Sequence, residues 1–327
     1  MSEHDILQDL NPAQHDAVIH RGGPMLVVAG AGSGKTRVLT HRIAHLIHHD
    51  NINPFQILAI TFTNKAAQEM KDRVAALVGP VAEKMWVSTF HSACVRILRR
   101  DAEQLGYPSA FSIYDQADAV RLTGYVARDL GLDIKKFVPR SVHAHISNLK
   151  NELVSTTDAL EKADTVFERK IAEIYEEYQN RLRTSGAMDF DDLLNVTVEL
   201  FTTRPDTLTH YQERFQHVLV DEYQDTNPAQ NDIVLKLGDK HQNVFVVGDS
   251  DQSVYAFRGA DIRNILEFEK AFPDTSVVVL DQNYRSTQTI LDAANSVISN
   301  NSVSYTHLRA HETSLHLVSR LLLEKKK

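Results

Sequence analysis

The chain has 327 residues, of which 43% are hydrophobic and 24% charged, with a formal net charge of −8. That supports one large or two medium domains with real cores, and the acidic balance does not mark the whole molecule as a nucleic-acid binder, although a local basic groove on an acidic body is compatible with it. No apolar run reaches the length of a membrane span, the start MSEHDILQDL is unlike a signal peptide, and the single cysteine, Cys94, excludes an internal disulfide and points to a reducing cytoplasm.

In chain order, the first buried strand is expected at MLVVA from Met25. A helix follows over KTRVLTHRIAHLI, with Val38, Leu39, Ile43, Leu46 and Ile47 on one stripe. ILAIT at Ile57 is a second strand and MWVST at Met85 a weaker one. From about Ser109 to Ser185 the pattern changes to helices and loops, for example FERKIAEIYEEYQNRL, with no convincing buried strand. SGAMDFDDLL marks the return, with a loop at Gly186 and an acidic helix start at Asp189, Asp191 and Asp192. HVLV at His217, NVFVV at Asn243 and VVVL at Val277 complete the strands. These runs do not alternate polar and apolar, which suits strands buried on both faces. The expected fold is therefore α/β, a parallel sheet covered by helices and interrupted by an inserted helical subdomain.

Between the first strand and its helix stands Ala29-Gly30-Ala31-Gly32-Ser33-Gly34-Lys35-Thr36, the P-loop spacing with Ala29 where the strict pattern has glycine. Glycines let backbone N–H groups turn inward around phosphates, and the helix N-terminus adds its positive dipole. Lys35 is expected to reach the β- and γ-phosphates and Thr36 to hold Mg²⁺. HVLVDEYQDT supplies carboxylates at a strand's end. Asp221 is expected to hold Mg²⁺ and Glu222 to deprotonate the attacking water, an arrangement that favours hydrolysis over mere holding.

Further motifs surround these two. LNPAQHDAV precedes the P-loop, and ITFTNKAAQEM and STFHSACVRILRR follow the second and third strands. VVGDSDQSVYAFRGA and LDQNYRST follow the last two. In this order they resemble the motifs of superfamily-1 DNA helicases, most closely the UvrD/PcrA/Rep family, over roughly residues 8 to 300. The resemblance implies a RecA-like motor domain 1A in two parts, 1–108 and 186–285. It places a helical domain 1B at 109–185 and the start of a second motor domain, 2A, at 286–301.

Carried over by motif, Gln14 resembles a glutamine that reads adenine and Tyr284 a tyrosine that stacks on the base. Gln252 resembles the γ-phosphate sensor, and Arg37 and Arg285 resemble arginines at the phosphates, where an arginine from the far side stabilises transition-state charge. The DNA side is expected at Phe62, Asn64, His91, Tyr255, Phe257 and Arg258. Aromatics stack on any base, which suits a motor that walks over any sequence. Phe257 stands where the family usually has tryptophan, keeping a stacking face with less area.

The activity implied is ATP- and Mg²⁺-dependent translocation, 3′ to 5′, on single-stranded DNA, with unwinding of 3′-tailed duplex in repair or replication restart, in the cytoplasm, with repair-protein partners unknown. Two other readings stay open. One is the helicase part of a helicase–nuclease, which a nuclease domain in the full gene would reveal. The other is a P-loop module that uses ATP as a switch, which would lack DNA-stimulated ATPase.

Some features are expected to be structural. His41, His45 and His49 lie at i, i+4 spacing, but no cysteine or carboxylate pattern completes a metal site, so they read as a solvated helix face. Asp189, Asp191 and Asp192 read as a negative helix N-terminus, and Cys94 as a small buried or half-buried residue. From Ser302 the chain leaves the family pattern, and VSYTHLRAHET resembles a translated sequencing adapter, so 302–327 is expected to be non-native. On that expectation domains 2A and 2B are missing, and the chain grips ATP but drives nothing.

Overall fold

The computed structural model describes residues 6–249, 264, 268–298 and 309–310. Among them the first eight strands are β1 (Met25–Ala29), β2 (Ile57–Thr61), β3 (Trp86–Thr89), β4 (Ser112–Ile113), β5 (Ala187–Met188), β6 (His217–Val220), β7 (Val244–Gly248) and β8 (Ser276–Leu280). All but the two-residue β4 and β5 join one sheet in the order β3-β2-β6-β7-β1-β8, every pairing parallel. Every apolar run expected to be a strand is one, and the fold is the expected α/β sheet.

The sheet is buried on both faces because alternate strand residues enter different cores. Met25, Val27 and Ala29 join one core, and Leu26 and Val28 the other. The first core is closed by α1 (Pro12–Ile19), α2 (Lys35–His48) and α3 (Asn64–Val78). The second begins with α4 (Phe90–Asp101), where Cys94 is fully buried and its thiol is pushed up to about 12 by desolvation. The chain then leaves for α5 (Gln116–Asp129), α6 (Pro139–Asn151), α7 (Thr156–Glu161) and α8 (Val166–Thr184). These four surround a third core built on Val126, Ile146, Ile174, Tyr178 and Leu182. α9 (Phe190–Thr203), α10 (Pro205–Arg214), α11 (Pro228–Gly238) and α12 (Phe268–Ala271) return to the second core.

Two details differ from the sequence reading. β8 is an edge strand paired only with β1, so Val277 and Val279 are 43% and 40% exposed despite their apolar run. β4 pairs with β5 in parallel, Ser112 beside Ala187, where the helical segment leaves and rejoins the body. A two-residue strand carries no periodicity to read. After β8 come β9 (Gln282–Asn283), α13 (Gln288–Ile298) and β10 (Arg309–Ala310), which pairs in parallel with β9. No described helix is long and apolar enough to cross a membrane.

Parallel strands put all their carboxyl ends on one edge of the sheet. The loops after β1, β2, β3 and β6 therefore converge there with Asp249 at the end of β7, and they carry motif residues.

Candidate phosphate site and adjoining cleft

The loop between β1 and α2 needs its glycines for two reasons at once. Gly32 and Gly34 have φ of 69° and 94°, the left-handed region that L-residues avoid. There is also no room for a side chain. A Cβ on Gly34 would lie 2.7 Å from Gln14 Nε2, and one on Gly32 would lie 2.7 Å from Arg285 Cβ. Gly34 is the N-cap of α2 and offers no side chain, which leaves the opening of that helix to an anion.

Residues far apart in sequence hold the loop in place. Gln14 Nε2 donates to the Ser33 carbonyl at 2.8 Å, and Ser33 Oγ donates to the Gly30 carbonyl at 2.7 Å. Gln14 is itself fixed by a capping box with Asn11 at the start of α1. From the other side, Asn283 Nδ2 donates to the Ala31 carbonyl and Tyr284 N–H to the Gly32 carbonyl at 2.9 Å. Asn283 Oδ1 accepts from Arg285 N–H and Ser286 N–H, so Arg285 follows a locked turn beside the loop. The Tyr284 hydroxyl accepts from Asn11 Nδ2 at 2.8 Å. Thus Gln14, the 29–36 loop, Tyr284 and Arg285 come together. Asn11 and Asn283, which tie them, were not singled out in the sequence. Arg37 turns outward, 3.5 Å from the exposed Asp9.

Lys35 opens α2 and its ammonium lies 2.7 Å from Glu222 Oε2, just beyond β6. Glu222 holds φ 51°, ψ 46°, a strained conformation for a non-glycine residue, at a cost of about 1 kcal/mol. That turn aims its carboxylate at the loop while its N–H donates to Asp221 Oδ1 at 3.1 Å. Burial, then the Glu222 charge, push the Asp221 carboxyl up to about 7, against the opposing pull of Lys35 and Arg73. Asp225 is pushed up to about 6, again by burial and then by Glu222. Gln224 links this group to the next strand: Nε2 donates to Glu222 Oε2 at 2.9 Å and Oε1 accepts from Asp249 N–H at 2.9 Å. An ammonium, a donor-rich loop and a helix opening can take a polyphosphate. Two adjacent carboxyls, one nearly buried, can take a divalent cation and a proton from water.

Beside this site a polar cleft of about 360 Å³ runs between the α/β body and α6. Phe62 and His91 line it with Asn148, Asn151, Asn227 and Gln230. Asn64 stands next to it, accepting from Thr89 Oγ1 at 3.4 Å. Burial lowers the His91 pKa, which favours the neutral ring. Its ring meets Phe190 edge-on at 5.9 Å, and Phe190, which the sequence reading passed over, is 51% exposed. Gln252, Tyr255, Phe257 and Arg258 lie outside the described residues.

Under the cleft, Asp189 caps α9 in a capping box with Asp192, as an acidic helix start should. Unforeseen is Lys150, reaching from α6 to bond Asp189 Oδ2 at 2.8 Å and Asp192 Oδ1 at 2.7 Å, all three side chains at most 3% exposed. Tyr178 donates to the same Asp189 oxygen at 2.8 Å. Burial opposes the charges, but the Lys150 ammonium outweighs it at Asp189 and holds that carboxyl below the usual range.

These features are those of a known class. The sequence profile of the UvrD/REP helicase N-terminal domain matches residues 10–273, and the chain belongs to that family. Among curated relatives, it is 52% identical over 297 residues to the ATP-dependent DNA helicase PcrA of Bacillus subtilis (strain 168), covering 91% of this chain and 40% of that protein. It is 53% identical to PcrA of Staphylococcus aureus (strain Mu50 / ATCC 700699), covering 91% of this chain and 41% of that protein. It is 56% identical over 308 residues to the ATP-dependent DNA helicase UvrD1 of Mycobacterium bovis, covering 90% and 40%. The chain thus spans about 40% of the length of the relatives it matches.

Proposed function

We propose that the whole protein is an ATP-driven motor that moves 3′ to 5′ on single-stranded DNA and unwinds 3′-tailed duplex. In this reading the chain carries motor domain 1A (1–108 and 186–285), the insertion 1B (109–185) and the start of 2A (286–301), with 302–327 non-native. Repair or replication restart in the cytoplasm is the setting. The observation that carries the reading is the Lys35–Glu222 contact of 2.7 Å beside a buried Asp221. It is a phosphate-binding lysine parked on a catalytic base.

Gln14 and Tyr284 flank the base of ATP. The loop from Ala29 to Gly34, Lys35 and Arg285 hold its phosphates, with Gln252 sensing the last of them and Arg37 joining once it swings in from Asp9. Thr36 and Asp221 would hold Mg²⁺, whose charge would offset that of the phosphates. Asp221 suits that role by its place at the end of β6 beside Lys35 and Glu222; burial and then the Glu222 charge push its carboxyl up to about 7, and a cation there would favour the ionised form. When Lys35 turns to phosphate it releases Glu222, which accepts a proton from the attacking water while Gln224 keeps the carboxylate aligned. Phe62, Asn64 and His91, with Tyr255, Phe257 and Arg258, grip the strand, each stacked base contributing about 1–3 kcal/mol.

In the full-length protein, Glu222→Gln should bind ATP and slow DNA-stimulated hydrolysis about 10²–10⁴-fold. Near-normal turnover would remove Glu222 from the role. Translocation needs two DNA grips whose spacing changes with nucleotide state. The 327-residue chain alone is expected to bind nucleotide without unwinding. Robust unwinding by it, abolished by Lys35→Ala, would overturn that reading.

A further inference from the structure

The far end of α2 carries a cluster that the phosphate site does not use. Four histidines at the end of α2 divide by what they face. His41 Nδ1 lies 2.6 Å from the Ile6 carbonyl, and His48 Nε2 lies 3.3 Å from the Leu77 carbonyl. His45 and His49 face each other, rings stacked at 4.6 Å with 11° between planes. Asp50 joins them from just beyond the helix, its Oδ1 3.0 Å from His49 Nδ1 and 3.9 Å from His45 Nε2. One nitrogen of each ring and a carboxylate oxygen all lie within 4.8 Å of one another. The expectation of a solvated face fails at His45, which is 2% exposed, and Asp50 supplies the carboxylate that the sequence pattern lacked.

We propose that His45, His49 and Asp50 form a binding site for a divalent transition metal of the zinc class. Two imidazoles one helical turn apart plus a carboxylate are a donor set for Zn²⁺, Co²⁺ or Ni²⁺, not for the all-oxygen preference of Mg²⁺ or Ca²⁺. Tetrahedral zinc with bonds of about 2.0–2.2 Å sets its ligand atoms about 3.3–3.6 Å apart. The two distances to Asp50 Oδ1 straddle that spacing. The two stacked rings converge on one ion by rotation of His49, whose side chain is 28% exposed, while His45 stays buried. The carbonyl end of a helix also favours a cation. Arg42 opposes binding, because its guanidinium acts on the same Asp50. Its guanidinium is engaged by the Val18 carbonyl at 2.8 Å, so it weakens the site without serving as a ligand. A water would complete the fourth position. The cluster lies about 20 Å along α2 from Lys35, so its test is independent of the nucleotide reading.

The experiment titrates ZnCl₂ into the chelator-treated 327-residue chain by calorimetry and CoCl₂ by visible absorption. One equivalent bound at micromolar affinity, with a rise in Tm of about 2–4 °C, is expected. His49→Ala and Asp50→Asn should each weaken binding at least about tenfold, while His41→Ala and His48→Ala leave it unchanged. Should His49→Ala lose its circular dichroism, the bulkier His49→Gln decides. No equivalent bound more tightly than about 100 μM, or undiminished affinity in both ligand variants, overturns the proposal.

Discussion

Lys35 meets Glu222 at 2.7 Å, and Lys150 meets Asp189 and Asp192 at 2.8 and 2.7 Å, yet the surroundings of the two contacts differ. Around Lys35, the Glu222 side chain is 35% exposed, the backbone at Glu222 is strained, and burial and then the Glu222 charge push the adjacent Asp221 carboxyl up to about 7. Around Lys150, the side chains of the ion pairs are at most 3% exposed, and Tyr178 and Gln179 donate to the same two carboxylate oxygens that Lys150 bonds. The first pair is easily exchanged for another anion. The second cannot open without stranding charge in a dry interior. A short ion-pair distance therefore says little about role, and the surroundings decide it. Because Lys150 is on α6 while Asp189 caps α9 and Asp192 lies in its first turn, the buried group also pins the helical insertion to the α/β body.

The largest effect should come from breaking the pin. Lys150→Met leaves two buried carboxyls without their cation and should cost about 3–5 kcal/mol in denaturant unfolding. A loss under about 1 kcal/mol would mean that the pair is no pin. The pH dependence sharpens this test. Lys150 holds the Asp189 carboxyl low, and its removal would let burial raise it. A carboxyl raised in the folded state contributes stability that is present below its unfolded value, about 4, and is lost as pH rises through the folded value. The gap between Lys150→Met and the parent should therefore be smallest near pH 4–5 and widen toward pH 8. A gap that narrows with rising pH would contradict the assignment.

Lys35→Ala should behave in the opposite way. Its stability should stay within about 1 kcal/mol of the parent, because a partly exposed pair contributes little. Its affinity for Mg-ATP, measured by calorimetry, should fall about 10–100-fold, the worth of one charge-assisted hydrogen bond. Strong destabilisation with unchanged nucleotide affinity would make the two lysines alike. The smallest effect should be at Gln224. Gln224→Ala in the full-length protein removes the bond that aligns Glu222 and should lower kcat about three- to tenfold with KM for ATP little changed. A rise in KM alone would assign Gln224 to binding instead.

Much of this could be read from the chain. The strands were legible because a run such as MLVVA, with every residue buried, has no polar face to confuse it. The phosphate loop was legible because its glycines, lysine and threonine are adjacent in sequence and each has a local reason to be there. β8 misled because an edge strand and a central strand can carry the same apolar run, and only neighbours tell them apart.

By itself the sequence determined the order of elements, the α/β class and the side-chain types of the phosphate loop, since these follow from local periodicity and from short motifs. The tertiary structure decided which distant residues meet. It set Asn11 and Asn283 on either side of the loop, Gln224 between Glu222 and Asp249, Lys150 under Asp189 and Asp192, and Asp50 beside His45 and His49. None of these pairings has a sequence signature, because an asparagine, a lysine or a histidine is polar in every context. Only the folded chain fixes whether its partner is water, a backbone carbonyl or a buried charge, and that choice sets what the residue can do.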